Sequence, residues 1–472
     1  MSRRGVKAAK AAKRPGKPGA TKAGPKAPAA LSEIKLPPLH ETRTGSGLTV
    51  LVAPRGPLPL VTLRLTVLSG SSVDPGGKEG LADFTAQLCR RGTARMSADE
   101  INEAVEFVGA ALFAGTSEDV VTFGIISPAE HALAMLDVLA QVATEPSFPA
   151  HEVESARTRA LAQLANDLDD PALLADRAMV RALWGDHPYG HDIAGGSRSV
   201  ASFTREDAER FHRERLGPRV AQLVVVGAAE PGVMVEAADR AFARWSGGPA
   251  AAPELAVPER AALAGRVVVV DKPDQTQSQV RLGSVAFRKS HPDYLSSQVV
   301  NAVLGGGFTS RLVDEIRVNR GLSYGASSYF DPSRVSGSFQ ISTFTKTETT
   351  REIVEVALEE VSRMRRDGPR RPELAKAKQY LCGLYPLRLE TNESLAGAIA
   401  DTRVNGLGDD YLQRYRSRVM DVSLERAAEL AARWFLPDEG RTLAVVGRAE
   451  QVVPQLEGLG VPIERWKPAD LG

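Results

Sequence analysis

Gly80-Leu-Ala-Asp-Phe-Thr-Ala-Gln-Leu-Cys-Arg-Arg-Gly-Thr93 is the stretch from which the fold is read. Leu81, Phe84 and Leu88 recur at helical spacing and form a core-facing stripe, while Asp83 and Gln87 stand four apart on one face of the same helix. Outward from this helix the chain repeats itself. Leu223-Val-Val-Val-Gly-Ala-Ala-Glu230 returns 220 residues later as Leu443-Ala-Val-Val-Gly-Arg-Ala-Glu450, and Val61-Thr-Leu-Arg-Leu-Thr66 has a counterpart in Val280-Arg-Leu-Gly-Ser-Val285 at an offset of 219. Two separated pairs sharing nearly one offset indicate a tandem duplication.

Between the copies, residues 247–265 are rich in proline, glycine and alanine, a linker composition that denies a strand or a long helix. The predicted organisation is a tail (1–32), a first half (33–246), the linker and a second half (266–472). Within the first half, Thr49-Val-Leu-Val52, 61–68 and 117–126 read as strands, and 97–108 and 129–143 as helices. Ser97 with Glu100 is a capping box, and Pro149 stands where a helix opens before Glu152. Strands mixed with helix pairs predict an α+β layered fold.

A chain of 472 residues with 43% hydrophobic and 25% charged residues is an ordinary globular composition, too long for one core. The first 32 residues carry nine positive charges and no acid, so residues 33–472 sum to −8 against a net charge of +1. That Ala/Pro/Gly-rich tail cannot bury enough apolar surface to order itself, and it reads as a disordered solubilising extension. Nucleic acid is not an expected partner. The tail also lacks the apolar core of a secretory signal. No run of about 18 uncharged apolar residues occurs, so no transmembrane helix is expected. Cys89 and Cys382 stand alone, which suggests neither a disulfide framework nor a thiolate metal site, and a cytoplasmic location is expected.

Gly80, Leu81, Ala82, Phe84, Gly92 and Thr93 resemble the frame of the inverted zinc helix of pitrilysin/insulinase-type peptidases. That helix carries His-x-x-Glu-His followed by Gly-Thr. Here the histidine positions are Asp83 and Gln87 and the glutamate position is Ala86. The resemblance places the last ligand, from a later helix before Asp169-Asp-Pro171, at Gln163. Two histidines four apart grip Zn²⁺ and the glutamate activates its water. A carboxylate and two amides are a poor substitute, and Ala86 can take no proton. No metal is expected in this chain.

His187-Pro-Tyr-Gly-His191 cannot form an aligning helix across Pro188 and Gly190, and it resembles the family's structural His-Pro-x-Gly loop. His151-Glu-Val-Glu154 lacks ligand spacing. Thr116-Ser-Glu-Asp-Val-Val-Thr-Phe123 resembles the edge strand against which the family lays extended substrate.

In the second half, Gly305-Gly-Gly-Phe-Thr-Ser-Arg311-Leu precedes Glu315-Ile-Arg317-Val-Asn-Arg-Gly321-Leu-Ser-Tyr324. In the family an arginine and a tyrosine seven apart, the tyrosine closing a Gly-Leu-x-Tyr, face the zinc and contact the substrate carbonyl. Arg317 and Tyr324 keep that spacing, and guanidinium and phenol are the donors a developing oxyanion needs. Gly305, Gly306 and Gly307 allow close approach and positive φ, as a loop lining a peptide channel requires.

The resemblance, over about residues 34–455, implies two homologous rolls in a clam-like arrangement. It implies the non-catalytic, substrate-binding subunit of a heterodimeric zinc metallopeptidase, with a zinc-bearing paralogous subunit supplying metal and base and a peptide as substrate. A proteolytically inactive scaffold subunit and a stand-alone peptide-binding module are the alternatives.

Overall fold

The computed structural model describes residues 34–258, 265–458 and 461–472. The basic tail and the middle of the linker lie outside them. The first half builds a six-stranded sheet from β1 (His40–Arg43), β2 (Thr49–Pro54), β3 (Leu60–Val67), β4 (Ala111–Thr116), β5 (Val121–Pro128) and β6 (Ala221–Gly227), in the order β1-β2-β6-β3-β5-β4. The second half uses β7 (Val267–Asp271), β8 (Gln277–Ala286), β9 (Ala326–Pro332), β10 (Gly337–Lys346), β11 (Thr442–Gly447) and β12 (Ile463–Trp466), in the order β12-β7-β11-β8-β10-β9. The repeated segments Leu223–Glu230 and Leu443–Glu450 fall on β6 and β11, and the other pair on β3 and β8, which hold the same places in the two sheets. The outer strands break the symmetry: β1 runs antiparallel to β2, whereas β12 is parallel to β7.

The two halves exchange helices. Pro171–Trp184, from the first half, packs on the second sheet, where Leu174, Ala178 and Met179 meet Val268, Val270, Ala444 and Val446. Asn392–Val404, from the second half, packs on the first sheet, where Leu395 and Ile399 join Leu51, Ala53, Val224 and Val226. Polar bonds fix each exchange. Arg55 donates to Leu389 O at 2.9 Å, and Gln222 to Ala400 O at 2.9 Å. On the other side Arg281 donates to Ala172 O at 3.1 Å and to Asp176 at 2.5 Å. The β4–β5 and β9–β10 turns meet at buried Asp119, which accepts from the Tyr189 hydroxyl (2.6 Å) and the Arg334 amide (2.8 Å).

Several predicted elements stand, with shifted edges. Ser97 and Glu100 form the capping box of Ala98–Phe107. The predicted helix at 129–143 is Ala132–Thr144, preceded by a 3₁₀ turn. The predicted strand 117–126 begins only at Val121, because Ser117 to Val120 form a turn whose Ser117 amide donates to Val120 O. The edge strand is therefore β4, Ala111–Thr116, and Thr116–Phe123 straddles the turn into an interior strand. The linker residues described form neither strand nor helix, and they lie against both halves: His187 Nε2 faces Ala256 O and Arg334 donates to Pro253 O.

Candidate functional site

The Leu81–Cys89 helix enters through Gly80 at φ 94°, where a Cβ would lie 2.5 Å from Ala194 O, so only glycine fits the entry. Asp74 caps it by accepting from the Gly80 and Ala82 amides at 2.7 and 2.8 Å. Leu81, Phe84 and Leu88 are buried as their spacing requires. The polar face lies toward β4. Burial pushes the Asp83 carboxyl up from its ordinary range, offset in part by the Thr116 hydroxyl and Gln87 amide beside it. Gln87 donates to Ala114 O at 3.4 Å.

The neighbouring helix Ala150–Asp167 carries Gln163, whose amide donates to Asp167 at 2.7 Å on an exposed face. Ala86 is completely buried. Zinc does not fit this set. The side chains at 83, 87 and 163 offer a desolvated carboxyl and two amides already bonded elsewhere, and the base position holds a methyl group. Among the described residues no three His, Cys, Asp or Glu side chains converge as metal ligands. His187 is structural: its Nδ1 accepts from the Tyr189 amide while Nε2 faces the Ala256 carbonyl of the linker, which fixes the ring's orientation.

In the second half, Tyr294–Leu304 ends at Gly305. A Cβ there would lie 2.6 Å from the Ser328 amide nitrogen of β9, and Asn301 and Ser328 exchange bonds of 2.8 and 2.6 Å across this junction. Contrary to the expectation from the sequence, none of Gly305, Gly306 and Gly307 has positive φ. Gly305 is small so that helix and edge strand can close, and Gly306 packs back on Asn301 and Ala302.

Beyond this loop, Asp314–Asn319 is a π-helix, a rare geometry that clusters at functional sites. It carries Arg317, which makes no hydrogen bond or ion pair with the described residues and stacks its guanidinium 4.8 Å from the Phe308 ring centroid. Tyr324 is 85% exposed and its hydroxyl is equally unengaged. Two donors of the type that stabilises an oxyanion are thus left unbonded, Tyr324 exposed and Arg317 half-buried beside Phe308. Phe308, itself 74% exposed, was not singled out from the sequence. Its one sequence signal is an aromatic ring inside a Gly/Thr/Ser loop.

One wall of this region is held by charge. Arg311 grips Glu373 at 3.1 and 2.8 Å, and Arg370 adds a 2.7 Å bond. Burial alone would raise the Glu373 carboxyl, but these bonds outweigh it and hold the group at about 2, against an ordinary 4.5. A depressed carboxylate contributes stability above its unfolded value and loses it on acidification. Melting temperature is therefore expected to fall as the pH drops from 4.5 towards about 2. Glu373→Gln should flatten this limb of a pH series, and an unchanged limb would remove the pair from the account.

Residues 50–197 match the Insulinase (Peptidase family M16) family, and residues 202–381 the Peptidase M16 inactive domain. An uncharacterized zinc protease of Mycobacterium leprae is 28% identical over 388 residues, covering 80% of this chain and 87% of the relative. The uncharacterized zinc protease YmxG of Bacillus subtilis is 24% identical over 384 residues, with coverage of 80% and 91%. Among solved structures, a peptidase M16 inactive domain from Pseudomonas fluorescens aligns with a TM-score of 0.80 at 24% identity, covering 87% of this chain and 98% of its own. A protease from Helicobacter pylori aligns equally well, at 21% identity and with coverage of 87% and 100%.

Proposed function

The chain belongs to the insulinase (M16) peptidase family, with the residues of the zinc helix replaced, and on that premise we propose that it is the substrate-binding, non-catalytic subunit of a two-subunit zinc peptidase. The observation that carries this reading is the contrast between its two candidate sites. Around the helix Leu81–Cys89 every group needed for metal chemistry is replaced, and the amides of Gln87 and Gln163 are bonded to their neighbours. At the π-helix and just beyond it the donors Arg317, half-buried, and Tyr324, exposed, bond to nothing among the described residues.

A paralogous partner with an intact His-x-x-Glu-His would supply the metal and the general base. This chain would contribute the guanidinium and phenol that bind the carbonyl oxygen as negative charge develops on it. The outer edge of β4, Ala-Leu-Phe-Ala-Gly-Thr without charge or proline and with its Ala114 carbonyl taken by Gln87, suits an extended peptide added as a further strand. Among the described residues no helix is long and apolar enough to cross a membrane, and both cysteines are free and buried, which supports a cytoplasmic role.

Co-expression with a zinc-bearing paralogue, followed by a peptide-cleavage assay, tests the reading. The purified chain alone should be inactive and zinc-free by elemental analysis, and the pair active and chelator-sensitive. Zinc-dependent cleavage by this chain alone, or a paralogue equally fast without it, would overturn the proposal.

A further inference from the structure

Phe308 has two neighbours. One face of its ring carries Arg317, and the residue also lines a cavity of about 710 Å³ between the Gly305 loop and the helices Thr350–Asp367 and Arg371–Leu384. Across the mouth stands Tyr380, 46% exposed, its ring edge 3.9 Å from where a Cβ on Gly307 would sit. Ala302, Val303 and Ala377 line the cavity as well.

Most of the charges on its walls are paired, Glu315 with Arg320 and Asp367 with Arg366 among them. Arg311 and Arg370 hold Glu373, and Arg363 holds the buried Glu360 at 2.5 Å. Exposed Asp314 and Lys376 are of opposite sign. Beside these charges the cavity offers a ligand the aromatic edges of Phe308 and Tyr380 and the apolar wall of Ala302, Val303 and Ala377.

Single exposed apolar side chains need no explanation, but Phe308 and Tyr380 stand together at one opening, from the loop and from the helix Arg371–Leu384. We infer that this cavity is a side-chain subsite for a bulky apolar or aromatic residue of the peptide, and that Phe308 is a positioning residue holding Arg317 beside it. The inference rests on the proposed substrate-binding role. The shared ring sets the geometry: residues of an extended peptide advance about 3.3 Å each, so a chain whose carbonyl reaches Arg317 places a nearby side chain over the cavity mouth. A ring under the guanidinium favours one orientation by cation–π attraction without consuming its hydrogen-bond donors.

The test uses the full chain and a labelled peptide series differing only in Phe, Leu or Ala at one position, read by fluorescence anisotropy. The Phe peptide should bind about tenfold tighter than the Ala peptide. Tyr380→Ala should collapse that ratio to under twofold, and since Tyr380 is half exposed the substitution spares the core. In the assembled peptidase, Phe308→Leu should lower kcat with KM held, and Phe308→Tyr should restore it. Equal affinity for Phe and Ala peptides, or a ratio untouched by Tyr380→Ala, would overturn the subsite. A kcat unchanged in Phe308→Leu would overturn the positioning role. Because the anisotropy measurement needs no partner, a chain that prefers aromatic peptides but assembles no peptidase supports the subsite while sinking the proposed function.

Discussion

Arg317→Ala is expected to lower kcat/KM of the assembled peptidase by about 10²- to 10³-fold, the loss typical of one donor aimed at a developing oxyanion. The fall should appear mainly in kcat, because the interaction strengthens as charge accumulates on the carbonyl oxygen. Stability should hardly change. Arg317 bonds to nothing among the described residues and only overlies the exposed Phe308 ring, so its removal costs the fold little more than a surface contact. Arg317→Lys should recover only part of the rate, since a lone ammonium lacks the planar fork of donors. This pairing of a large rate loss with an unchanged melting temperature separates the peptidase reading from a scaffold role, in which Arg317 would be a relic. Activity within twofold of wild type would remove it from the site.

How far the sequence reaches can be judged at particular residues. The emptied helix was legible because its frame, Gly80, Leu81, Ala82 and Phe84, is dictated by entry geometry and core packing, and these outlast the chemistry they once supported. The duplication was legible because β3, β6, β8 and β11 are central strands whose apolar runs must be kept. The edge strand was misplaced at 116–123 because a hairpin turn such as Ser117–Val120 interrupts alternation without a glycine or proline to mark it. The triple glycine suggested positive φ, but a glycine is equally demanded by close approach, and Ser328, which makes that demand at Gly305, lies 23 residues away in sequence. The stacking of Phe308 on Arg317 was invisible for the same reason: it depends on the loop folding back over a π-helix, and a separation of nine residues carries no periodic signal.

The exchanged helices were equally hidden, and they carry the second large effect. Apolar periodicity shows that Asn392–Val404 needs a partner, not which sheet supplies it. Because Leu395 is buried against Leu51 and Val224 of the other half, Leu395→Ala should destabilise the whole chain by about 2–5 kcal/mol, the cost of a cavity in a packed core. Its distinguishing consequence is where the loss is felt. Trp245 sits in the first core and Trp434 in the second, both buried, so variants retaining one or the other report the halves separately by fluorescence. A substitution at residue 395, in the second half, should shift the Trp245 transition as far as the Trp434 transition, and in wild type the two should coincide. By the same logic residues 34–246 expressed alone should fail to fold. Their sheet would expose Leu51, Ala53, Val224 and Val226 to water, and their helix Pro171–Trp184 would lose the sheet against which Leu174 and Met179 are buried. Supplying residues 266–472 in trans should rescue them. A soluble first half with a cooperative transition of its own, or a Trp245 transition unmoved by Leu395→Ala, would show that each half stabilises itself and that the exchange is only a contact between finished domains.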